Sequence, residues 1–108
     1  MVLVLFPNSD LRTAKRRPAL VVQRDELTSG LTQTVIAVIS SNPLRAGHPS
    51  RVTIAAASPE GRAAGLPLDS IVMADNLATV LDFEIDLVLG RLPDMTKVNA
   101  ALRYTLAL

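Results

Sequence analysis

The side chains best suited to chemistry in this sequence are an arginine and two hydroxyls at predicted strand ends. Lys15, Arg16 and Arg17 run straight into Pro18 and then into Ala19, Leu20, Val21 and Val22. Proline fixes its own φ, lacks an N–H and biases the residue before it towards extended backbone, so Arg17 is held at a strand entrance and not on a loop tip. The apolar residues that follow, with a β-branched pair, read as an interior strand that anchors the guanidinium from behind. The clearest β segment, residues 34–40, ends at Ser40 and Ser41. In an antiparallel pair the entrance of one strand neighbours the exit of the other, which would bring a guanidinium fork and a hydroxyl onto one phosphate. The same cations also read as a solvated cluster closing a turn, the usual role of a short basic run.

Other chemistries have little to stand on. His48 is the only histidine and lies in a Gly-His-Pro loop, which argues against a histidine acid–base pair and against a Ser-His-Asp triad. There is no cysteine, so disulfides, thiolate metal sites and a cysteine nucleophile are excluded. No glycine-rich phosphate loop and no cluster with metal-ligand spacing is present, so neither a metal nor a cofactor is expected. Asp82, Glu84 and Asp86 alternate along the chain; they read as a solvated strand edge or, less simply, as ligands for a hard cation.

The elements that must position these residues belong to one domain, residues 1–108. Hydrophobic residues make up 49% of the chain, yet only Phe6, Phe83 and Tyr104 are aromatic, so the core is aliphatic and offers little surface for base stacking. Net charge is +1, but residues 1–54 carry +4 and residues 55–108 carry −3. Such asymmetry favours a basic face for a polyanion. The opening Met-Val-Leu-Val-Leu-Phe lacks a basic n-region, and no apolar run approaches a membrane span, so a soluble cytoplasmic protein is expected.

In chain order, residues 2–6 read as a first strand whose apolar character requires cover on both faces, by the fold or by a second subunit. Residues 7–10 supply turn chemistry, 11–15 a polar loop, and 24–33 a long hairpin connection after the second strand. Residues 42–50 are loop; 51–57 read as a fourth strand running into a turn over 58–61. Residues 70–74 and 76–80 read as two further strands, with an irregular acidic stretch over 82–90. Asp94 can cap a helix over 95–108 that buries Met95, Val98, Leu102 and Thr105 or Leu106. Short strands between turn signals, closed by one helix, predict a mainly β fold: a small, strongly bent antiparallel barrel with a C-terminal helix.

These residues also carry a family resemblance. Phe6-Pro7-Asn8-Ser9-Asp10 followed by Lys15-Arg16-Arg17-Pro18-Ala19-Leu20-Val21-Val22 resembles the opening of the MazF/PemK family of toxin endoribonucleases. The stretch from Val35 to Ser40 with Asn42, then Asp69-Ser70-Ile71-Val72, Asp75-Asn76-Leu77-Ala78-Thr79-Val80, Gly90-Arg91-Leu92 and Ala101-Leu102-Arg103, falls in that family's order and spacing. The resemblance implies an SH3-like barrel that forms a homodimer and holds single-stranded RNA in a cleft across it. It further implies metal-independent cleavage by attack of the ribose 2′-hydroxyl on its own phosphodiester, and a cognate antitoxin whose disordered tail covers the cleft. Carried over residue by residue, it makes Arg17 and Ser40 catalytic, with Asn8, Arg16, Ser41 and Thr79 as further RNA contacts. Arg17 would stabilise charge on the pentavalent intermediate and not act as a base, because a guanidinium has a pKa above about 12.

Among the sequence's departures from the family pattern, which include the missing Gly-Asp before the first strand, two fall at basic positions. Ala78 stands where relatives carry an arginine near the RNA, and Asp82 stands where a basic residue is usual. Both changes remove positive charge. They leave a second reading, from another class: a non-enzymatic binding module, such as the CcdB-type poisons that use the same barrel to trap DNA gyrase.

Overall fold

Six strands form one antiparallel sheet in the computed structural model, which describes residues 1–7, 14–24 and 27–108. They are β1 (Val2–Pro7), β2 (Ala14–Val21), β3 (Gln33–Ser40), β4 (Arg51–Ile54), β5 (Ser70–Leu81) and β6 (Ile85–Val88), in the spatial order β4-β5-β3-β2-β1-β6. Two α-helices lie among the described residues, α1 (Pro59–Ala64) and α2 (Thr96–Leu106). Single-turn 3-10 helices follow β3 (Pro43–Arg45) and β5 (Asp82–Glu84). The architecture is the mainly β, bent sheet with a C-terminal helix that the sequence predicts.

The apolar strands are covered on both faces. Met1, Leu20, Ala37, Ile39, Val72 and Val98 belong to one core, packed under α1 and α2. Val2, Val4, Ala19, Ile36 and Val80 form a second core on the opposite face of the same strands. Adjacent residues such as Ala19 and Leu20, or Ile36 and Ala37, go to different cores, as the two-residue period of a strand requires.

The cationic run lies inside a strand. β2 begins at Ala14, five residues before the apolar segment predicted to form it, because β1 supplies partners from Val2↔Ala19 to Pro7↔Ala14. Its ladder to β3 covers only Ala19–Val21. Pro18 sits just outside that ladder, where its missing N–H costs no hydrogen bond to β3.

The two strands predicted over 70–74 and 76–80 are one strand. The register with β3 jumps from Ala37↔Leu77 to Val38↔Met73, so Ala74, Asp75 and Asn76 bulge out and bend β5. The bulge is held from outside by the Ala74 N–H, which donates to the Ser50 carbonyl at 2.9 Å.

The turn predicted over 58–61 is the first turn of α1, and β4 stops at Ile54, not at residue 57. Ser58 caps the helix by accepting from the Gly61 N–H at 3.0 Å, with Pro59 at its first position, and Gly65 ends it in the left-handed region at φ 73°. The helix is wedged between the end of β4 and the chain leaving β6. A Cβ on Gly61 would collide with the Ala55 carbonyl, and one on Gly90 with the Ala63 carbonyl. The Arg91 N–H donates to that Ala63 carbonyl at 2.9 Å.

Helix α2 starts at Thr96, one residue later than predicted. Asp94 accepts from the Thr96 N–H at 2.9 Å and from its hydroxyl at 2.6 Å, so it still satisfies a first-turn donor. Val98 and Ala101 are buried beneath the helix, with Met95, Leu102 and Thr105 half-buried, whereas Leu106 is exposed. Among the described residues no helix is long and apolar enough to cross a membrane.

Candidate active site

Arg17 and Ser40 share one cleft. Lys15, Arg16, Arg17 and Pro18 from β2, Ile39, Ser40, Ser41 and Asn42 from the end of β3, and Pro67, Leu68 and Ser70 ahead of β5 surround a cleft of about 290 Å³. The β2–β3 register at Ala19↔Val38, continued by two residues, sets Arg17 beside Ser40. By alternation both side chains lie on the face that carries Val4, Ala19 and Ile36. The adjacency predicted from strand ends is therefore present.

Ser40 is half-buried and its hydroxyl is oriented by the backbone. Its Oγ accepts from the Asn42 N–H at 3.1 Å, which leaves the O–H free to donate elsewhere. Asn42 in turn accepts from the Leu44 N–H through Oδ1 at 3.1 Å and so caps the Pro43–Arg45 turn. Ser70 is committed locally, donating its hydroxyl to the Leu68 carbonyl at 2.7 Å.

The remaining predicted residues separate. Arg16, one residue from Arg17, turns to the other face and pairs through Nε with Asp86 at 2.9 Å. Among the described residues Lys15 and Arg17 take part in no ion pair. Ser41 is exposed at the cleft rim. Thr79 pairs with Val35 on β3, roughly 17 Å along the strand from Ser40, and belongs to the opposite face from Ala78 and Val80. Thr79 therefore does not line this cleft within one copy of the chain. Asn8 lies outside the described residues. Ala78 pairs with Ile36 and packs against the second core, roughly 13 Å along β3 from Ser40.

Two lining residues gave no signal in the sequence. Pro67 and Leu68 arrive from a distant loop, and with Ser70, which was legible only within a family block, they reach the cleft through the β3–β5 pairing. Asn42 was legible as part of the family block but not as the residue that orients Ser40.

Several other titratable groups are engaged structurally. Thr34 Oγ1 donates to Asp82 at 2.7 Å, Glu84 accepts from the Leu81 N–H at 2.8 Å, and Asp86 holds Arg16. Among the described residues no three His, Cys, Asp or Glu side chains are grouped to hold a metal ion. His48 Nδ1 lies 2.6 Å from the buried Ser50 Oγ, and its ring meets Tyr104 edge-on at 5.8 Å. Arg51 pairs with Asp75 at 2.9 Å, and this hydrogen-bonded guanidinium is the main reason the Asp75 carboxyl titrates below its ordinary value.

Fold and cleft together define a class: small bent-sheet proteins with a guanidinium within one central strand set beside a hydroxyl at the end of the next. Comparison with known proteins narrows it. Residues 1–106 match the family of PemK-like, MazF-like toxins of type II toxin–antitoxin systems. The chain is 36% identical over 107 residues to endoribonuclease MazF2 of Mycobacterium bovis, covering 96% of this chain and 90% of that protein. Its fold superposes on the Mycobacterium tuberculosis toxin MazF-mt6 with a TM-score of 0.74 at 21% identity, covering 100% of this chain and 98% of the other. It also superposes on a mycobacterial endoribonuclease solved in complex with its cognate antitoxin, with a TM-score of 0.73 at 22% identity, covering 99% and 92%. The chain belongs to the PemK/MazF family of toxins of type II toxin–antitoxin systems.

Proposed function

We propose that this toxin is an endoribonuclease that cuts single-stranded mRNA without a metal ion, with Arg17 and Ser40 at the reacting phosphate. The observation that carries this reading is their placement side by side in one open cleft. In the proposed step the ribose 2′-oxygen bonds to the adjacent phosphorus and gives up its proton. The bond from phosphorus to the 5′-oxygen breaks, and that oxygen gains a proton. The products are a 2′,3′-cyclic phosphate and a 5′-hydroxyl. Charge accumulates on the non-bridging oxygens, where Arg17 supplies a guanidinium fixed on a strand and Ser40 a free O–H. Groups held in place before the reaction stabilise the intermediate more than the ground state.

Ser41 at the rim, Arg16 and Asn8 are assigned to flanking RNA, and Thr79 has no part in this reading. The proposed partners are a second copy of the chain and a cognate antitoxin, a relative having been solved in complex with one. The domain is residues 1–108 and the compartment the cytoplasm, where mRNA is translated. The test is Arg17→Ala assayed on a single-stranded RNA oligonucleotide, with circular dichroism to check folding. Loss of one such donor removes roughly 3 kcal/mol of stabilisation, on the order of a hundredfold in rate. The parent should cut equally well in EDTA. A folded Arg17→Ala protein that cuts at the parent rate overturns the assignment.

A further inference from the structure

The loop that walls the cleft has no core to hold it. Residues 41–49 between β3 and β4 are all exposed, so their position has to come from hydrogen bonds and not from burial. One guanidinium supplies much of that. Arg51, the first residue of β4, directs Nε to Asp75 Oδ1 at 3.4 Å, Nη2 to Asp75 Oδ2 at 2.9 Å and Nη1 to the Arg45 carbonyl at 3.1 Å. Asp75 can meet it because it lies in the β5 bulge, free of any β3 partner. The Arg45 carbonyl ends the Pro43–Arg45 turn, that turn is capped by Asn42, and the Asn42 N–H fixes the Ser40 Oγ.

We infer that Asp75 and Arg51 are positioning residues for cleavage, acting through the 3-10 turn at Pro43–Arg45 to hold Asn42 and the Ser40 hydroxyl. This rests on the proposed endoribonuclease activity. It also gives the Asp75 block, matched to the family in the sequence, a duty other than touching RNA. Arginine suits position 51, since two nitrogens of its planar fork meet the Asp75 carboxylate while a third donates to the Arg45 carbonyl, a spread that an ammonium's single nitrogen does not reproduce.

The test uses Asp75→Asn, Arg51→Lys and the double variant on the full chain, with a single-stranded RNA oligonucleotide as substrate. Each single change should lower kcat about tenfold with KM changed by less than about threefold, short of the roughly hundredfold that a 1 Å misplacement can cost. The double variant should be no slower than the slower single one, because both remove the same clamp. Hydrogen exchange supplies a readout independent of cutting. The amides of Leu44, Arg45 and Ala46, which bond to Asn42 Oδ1, the Asn42 carbonyl and the Pro43 carbonyl, should exchange faster while those of β1 to β3 do not change. Variants that cut at the parent rate, additive losses, or an exchange increase spread evenly over the chain each overturn the inference. A parent that cuts no RNA refutes the proposed function instead. Exchange then decides the clamp, which fails if the turn amides are no faster in Asp75→Asn.

Discussion

Arg16 and Arg17 differ by one position and have different duties because a strand alternates. Arg17 shares a face with Val4 and borders Ser40, whereas Arg16 turns to Asp86 and pairs with it at the surface. That difference was not legible in the sequence, where Arg16 reads beside Arg17 as an RNA contact; it follows only once β2 is known to run back through Pro18 to Ala14, because a strand fixes parity. Nor was the duty of Asp75 legible. The family resemblance sets its block near RNA, and the bulge that turns its carboxylate to Arg51 is a register jump against β3, which no local residue pattern announces. The pairing makes a pH prediction. The Asp75 carboxyl is held low in the folded protein, first by the hydrogen bond from Arg51. A depressed carboxylate stabilises the fold above its unfolded pKa, about 3.9, and loses that contribution as pH falls through its folded value. The difference in melting temperature between the parent and Asp75→Asn should therefore be flat above about pH 5 and shrink below about pH 4. Melts at constant ionic strength test this, and a difference that stays constant down to about pH 2.5 would contradict it.

Among the elements, α1 is the one most dependent on close backbone contact. Its start and stop signals, Ser58-Pro59 and Gly65, were present in the sequence, but the three alanines between β4 and Ser58 read as strand and hid a six-residue helix. The same smallness is what lets it dock. Gly61 lies against the Ala55 carbonyl and the Ala56 backbone, so a methyl there has no flexible side chain to displace. Gly61→Ala should destabilise the protein by about 2 kcal/mol or more, as overpacking against fixed atoms does, and lower the melting temperature by roughly 10 °C. Urea unfolding of the variant gives the value. A change within about 0.5 kcal/mol would mean that α1 shifts freely and does not lock β4 to the segment after β6.

At the scale of the whole molecule, the sheet order leaves β4 and β6 at the edges, and the β6 edge is the apolar one. Val88 is 69% exposed, Leu87 53%, and Phe83 just ahead of β6 is 81% exposed. An open edge with such side chains is a template for pairing with another chain unless it is covered. The apolar first strand requires cover on both faces; two cores supply most of it and leave this margin uncovered. A second copy related by a two-fold axis is the simplest cover, since closed two-fold pairs are the commonest small assemblies. Sedimentation at micromolar concentration should therefore give about twice the 11.5 kDa of one chain. Changing Val88→Lys should shift that equilibrium towards one chain, because a lysine on an edge discourages pairing. Salt separates this contact from the RNA site. Apolar pairing should persist from 50 to 500 mM salt, whereas RNA binding that depends on Lys15, Arg16 and Arg17 should weaken steeply as counterions are released. A parent protein that sediments as a single chain at every concentration would remove both the edge contact and the shared RNA cleft that a dimer would build.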